Sequence, residues 1–269
     1  MPDRARAGGG RGSIGPVGNP TQPPGGVDDV LQRMDRELAD LEATGDPLRH
    51  FLATYRRTTV AVSRAVAQGT FEDPDWVERW DVVFADLYLS ALADHRAPGR
   101  AAPRPWRIAF AAPQDTPPLR QVLLGINAHV NYDLPRALLA LIPDEDFDSP
   151  AVLERRRRDH ERIDGVLAAR VGAEDASLTA TSGGKSVLDR LLQPLQRRAS
   201  RRFLREAREK VWHNTLALRR ARQAGPDAYR ARCTELEVLS AARVHDLLAP
   251  GQVLLRLAVA GFGVVLPPD

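Results

Sequence analysis

The chain has 269 residues, 43% hydrophobic and 27% charged, a composition that suits an ordinary globular protein and excludes a wholly disordered one. Lys and Arg total 38 against 35 Asp and Glu, a formal charge of +3, so the pI of 9.4 reflects guanidinium groups that do not titrate rather than a strongly basic surface. Lys185 and Lys210 are the only lysines, and this Arg- and Ala-rich usage reads as that of a GC-rich bacterial genome, which weakens any argument from arginine clusters.

Residues 1–26 are dominated by Gly, Pro and Arg and bury too little apolar surface to offset the entropy of ordering, so they read as a disordered tail. Residues 27–269 read as a single helical domain. The lone cysteine, Cys233, has no disulfide partner, and the N-terminal arginines are not followed by an apolar segment, so the expected compartment is the cytoplasm.

From Val27 the pattern is helical. Val30, Leu31, Met34, Leu38 and Leu41 recur at spacings of three and four, predicting a helix over 28–43 with Asp28 or Asp29 as its N-cap. A second runs from Asp46-Pro47 to Gly69. Asp73-Pro74 opens a third, 74–95, in which Trp76, Trp80, Phe84 and Tyr88 stand at intervals of four, a stripe that reads first as core packing. After a proline-broken loop at 98–105 and a short helix from Trp106, residues 119–142 are apolar nearly all round and predict a central buried helix. Arg120, Asn127, His129, Asn131, Asp133 and Arg136 argue against its spanning a membrane. Helices at 150–171, 185–223 and 226–248 follow, with a Gly/Ser/Thr-rich loop at 172–184 and a buried apolar segment at 253–266. Strand-like alternation is scarce, so the fold class is all-α, a multi-helix bundle with a disordered N-terminal tail.

The central helix carries the functional lead, because buried polar groups must find partners or cost about 1–3 kcal/mol each. His129 and Asp133 are four apart and share a face, as do Asn127 and Asn131 on another. On one reading His129 and Asp133 ligate a divalent transition metal such as zinc, iron or manganese. Asp86 then serves as third ligand or general base, Asn127 or Asn131 orients water or substrate, and the reaction is metal-assisted hydrolysis. Further ligands would come from His95, Asp159, His160 or His213. On the alternative reading the protein is a non-enzymatic helical binding or interaction protein, and the same residues are a hydrogen-bond brace between helices.

The string Leu123-Leu-Gly-Ile-Asn-Ala-His-Val-Asn-Tyr-Asp-Leu-Pro-Arg-Ala-Leu138, preceded by the segments at 80–92 and 105–110, resembles the signature of an uncharacterised, all-helical bacterial family of unknown function. The resemblance covers roughly residues 70–220 and implies membership, with no activity, cofactor or substrate attached. Around Asp159 such proteins often carry an Asn where this chain has Asp164, and His213 in the late Trp212 helix is not a general feature of the family.

Other signals carry less. Ser182-Gly183-Gly184-Lys185-Ser186 evokes a phosphate loop, but the required upstream glycine is replaced by Thr179. Acidic residues lie near the arginines at 155–158 and 197–208 and the net charge is nearly balanced, so nucleic acid is not an expected partner. No serine sits in a nucleophile elbow.

Overall fold

Apolar residues at helical spacing, broken by Pro and Gly, give a chain of helices in the computed structural model, which describes residues 25–181, 187–251, 261 and 263–268. They are α1 (Val27–Ala43), α2 (Arg49–Ala67), α3 (Pro74–Arg96), α4 (Arg104–Phe110), α5 (Pro118–Ala128), a π-helical turn (His129–Asp133), α6 (Leu134–Leu141), α7 (Asp144–Phe147), α8 (Pro150–Thr181), α9 (Val187–Ala224) and α10 (Pro226–Leu248). There is no strand among the described residues, so the fold is all-α. No described helix is long and apolar enough to cross a membrane.

The boundaries follow local chemistry. Asp73 caps α3, accepting from the Trp76 N–H at 3.0 Å, with Pro74 in the first turn where its missing donor costs nothing. At α1 the cap position falls to Gly26, and Asp28 and Asp29 occupy the first turn, where their charges oppose the positive end of the helix dipole. The loop expected at 172–184 is helical as far as Thr181, because its Ala-rich first half suits α8; its remainder, 182–184, lies outside the described residues, as do the phosphate-loop-like string, the tail to residue 24 and 252–260.

Among the described residues, two hydrophobic clusters make up the core. One joins α1, α2, α3, α4, α5 and the end of α10 around Leu52, Tyr88, Trp106 and Leu124; the other joins α2, α3, α6, α7, α8, α9 and α10 around Trp76, Leu138, Leu218 and Leu236. The aromatic stripe of α3 supplies both, with Trp76 stacked on Trp80 in the second, Tyr88 against Phe51 and Trp106 in the first, and Phe84 touching each. Between the clusters lies the π-helical turn, in contact with α3, α9 and α10.

Candidate functional site

The helix over 118–141 widens where its polar residues sit. Pro135 lacks the N–H that would continue the ladder, and just before it the Leu134 N–H reaches back five residues to the His129 carbonyl. This turn holds His129, Asn131 and Asp133, all buried.

The His129 and Asp133 side chains meet, with Nδ1 2.9 Å from Oδ2. The same Oδ2 accepts from the Trp106 indole N–H at 2.8 Å, and the Arg136 guanidinium stands 3.7 Å from Oδ1 while lying over the Tyr132 ring. Burial depresses the His129 pKa against the opposing pull of Asp133, so the ring is neutral at pH 7. A carboxylate only accepts, so Nδ1 carries the proton and Nε2 presents a lone pair. That Nε2 is buried without a partner.

Aromatic rings enclose the imidazole. Phe84 stacks flat on it, centroids 3.5 Å apart and planes 5° apart, and Tyr55 stands edge-on at 4.6 Å. Phe51, Tyr88 and Trp106 complete the wall at 5.7–6.2 Å, leaving His129 3% exposed. Phe51 comes this near because residue 125 is glycine: a Cβ there would fall 2.3 Å from its ring carbons.

The asparagines face the other way and form a ladder. Asn127 donates to the Leu123 carbonyl at 2.9 Å, and Asn131 donates to Asn127 Oδ1 at 3.3 Å. Asn131 Oδ1 accepts from the Val264 N–H at 3.2 Å. Asn214 of α9 then takes the backbone of the C-terminal segment as a strand would, donating to the Val264 carbonyl at 3.0 Å and accepting from the Leu266 N–H at 2.9 Å. His213 Nε2 lies 3.3 Å from the Leu266 carbonyl, Lys210 donates to that of Gly263, and Leu266 is wholly buried. Of the segment expected to be buried at 253–266, the described part is this non-helical strap.

The remaining candidates lie apart. Asp86 is half-exposed and pairs with Arg33 at 2.6 Å. His95 is exposed against Phe110. The buried Asp159 carboxylate accepts the backbone N–H groups of Glu72 and Asp73, each at 2.8 Å, and His160 is held between Trp80 and Trp212. Among the described residues, no three His, Cys, Asp or Glu side chains converge as a metal would require. Sequence reasoning missed Trp106 as the second donor to Asp133 and Asn214 as the clamp on the C-terminal strap. Asn214 carried a legible signal, a polar residue among the helical-period apolar positions of α9.

A model of a family of unknown function, DUF5995, matches residues 27–250. The chain belongs to DUF5995. The match takes in the whole helical frame from α1 to α10 and the polar turn at its centre, and it carries no activity with it. Neither a curated protein nor a solved structure matches the chain.

Proposed function

We propose that this DUF5995 chain is a non-enzymatic helical binding or interaction protein, in which the 127–133 cluster is a structural hydrogen-bond brace. The observation that carries the reading is where the polar atoms are spent. Asp133 is taken by Trp106 and His129, and the asparagines end on the backbone of Val264 and Leu266. A brace of this kind fixes the register of α5, the π-helical turn and α6 against α4 and α9, since a misplaced helix would leave several buried groups unpaired. The cytoplasm remains the proposed compartment on the grounds of the single cysteine.

One observation favours the other reading: the unpartnered Nε2 of His129 is a free lone pair beside a carboxylate-held ring. In that reading His129 and Asp133 ligate a divalent transition metal and Asn127 and Asn131 orient a hydrolytic water, while Asp86 must leave Arg33 to join them.

Elemental analysis of untagged protein, with thermal unfolding of His129→Ala and Asp133→Ala, separates the two. The brace predicts no stoichiometric metal in wild type after reconstitution and a large drop in Tm in both variants. About one equivalent of metal, lost in variants that unfold as wild type does, would replace the brace with the hydrolase.

A further inference from the structure

Among α1, α2 and α3, a cavity of about 170 Å³ is lined by Val27, Val62, Ser63, Val66, Ala67, Glu78 and Asp81. Its polar groups are uniform in kind. Asp81 is 8% exposed, its Oδ2 has no hydrogen-bond partner, and no ion pair reaches it among the described residues. Glu78, one turn earlier on α3, lines the same cavity and likewise pairs with no cation. Ser63 of α2 adds a hydroxyl. The rest of the wall is aliphatic.

A buried carboxylate without a counter-charge is costly, by several kcal/mol for the ionised form, and a fold keeps one where something repays that cost or the proton is retained. The charged and titratable groups near Asp81 make its case worse: Glu78 on its own helix repels its charge, and the Tyr55 hydroxyl from α2 is itself driven to stay protonated by burial and by Asp81. We infer that the Asp81 cavity is a binding site for a small organic ammonium ion, whose N–H donors engage Asp81, Glu78 and Ser63 while its apolar body packs on Val27, Val62, Val66 and Ala67.

The chemistry selects this class over a metal ion. Hard divalent cations take about six or more oxygen ligands and hold water tightly, and two carboxylates with one hydroxyl in an aliphatic wall supply neither the ligand number nor the hydration space. An ammonium needs only two or three acceptors and gains from the apolar wall. Size sets a limit as well, because a cavity of roughly 150 Å³ holds a benzene-sized body. The inference does not depend on the brace, since no residue of the 127–133 cluster lines the cavity.

The test uses the full chain at pH 8, titrated with n-butylammonium and with n-butanol as its neutral counterpart, read by calorimetry and by Tm. Saturable binding of n-butylammonium with a rise in Tm is expected, and n-butanol should give neither. Asp81→Asn keeps the shape and removes the charge, so it should fold as wild type does by circular dichroism yet bind n-butylammonium roughly tenfold or more weakly; Glu78→Gln should weaken it less. No binding of n-butylammonium, equal binding of the alcohol, or undiminished binding by Asp81→Asn would each overturn the inference.

Discussion

Among single residues, Gly125 and Asp133 show how tightly the signature is tied to packing. Replacing a helical glycine by alanine ordinarily gains about 1 kcal/mol of helix propensity. At Gly125 the added methyl meets the Phe51 ring at 2.3 Å, and that ring is hemmed in by Tyr55, Tyr88 and Trp106. Overpacking of about 1–3 kcal/mol offsets or exceeds the propensity gain, so Gly125→Ala should gain nothing and lower stability by up to about 2 kcal/mol in a denaturant melt. Gly165, in α8 with open space around its Cβ position, is the control, and Gly165→Ala should raise stability by up to about 1 kcal/mol. Asp133→Ala strips the acceptor from two buried donors, Trp106 and His129, and should cost about 3–5 kcal/mol. Asp133→Asn can place its one amide oxygen where Oδ2 accepts from both and should cost less. A melt in which the two Asp133 variants are equally stable would mean that the oxygen is not what the indole and imidazole need.

The helices of this chain were legible where apolar periodicity and proline punctuation agree. Asp73-Pro74 announces α3, and Pro117-Pro118 announces α5, because a cap or an N1 proline acts locally. The pairing of His129 with Asp133, and of Asn127 with Asn131, was legible for the same reason, since residues four apart on a helix meet whatever else the fold does. The partners beyond the helix were not. Trp106 and Asn214 stand 27 and 50 residues from the atoms they bind, and no local pattern encodes that convergence. Nor does the apolar content of the last segment reveal that its backbone is read by asparagine amides. This arrangement carries its own prediction, because the strap is tied to the helices by side chains rather than by a continuous ladder. Asn214→Ala removes both bonds to it and should sharply raise amide exchange at Leu266 while leaving the α3 and α6 amides protected. Asn131→Ala should expose the Val264 amide in the same way. If exchange at Val264 and Leu266 rises no more than elsewhere, burial of the Leu266 side chain holds the strap and the asparagines are incidental to it.

Across the whole molecule the buried ionisable groups pull stability in opposite directions. Burial lowers the pKa of His129, and lowers that of His160 further with help from Arg208, so both are neutral in the folded chain. Their contribution is present above the unfolded value of about 6.5 and is lost as pH falls below it, because the unfolded chain takes up protons that the folded chain refuses. Asp81 does the reverse. Burial and the neighbouring Glu78 raise its pKa to about 7 from 3.8, so the folded chain holds a proton that the unfolded chain has released. Its contribution is complete below pH 3.8, falls as pH rises, and is gone above about 7. A gap of about three pH units, each worth about 1.4 kcal/mol, caps that loss at about 4 kcal/mol. The wild-type profile alone mixes these opposed slopes, but the difference between wild type and Asp81→Asn cancels the histidines and isolates the carboxyl. Asp81→Asn should match wild type near pH 4, pull ahead of it through pH 5 and 6, and stay ahead by a constant few kcal/mol above pH 7.5, measured by urea unfolding at each pH. A difference that does not change with pH would mean that Asp81 is ionised throughout and finds its counter-charge within the fold.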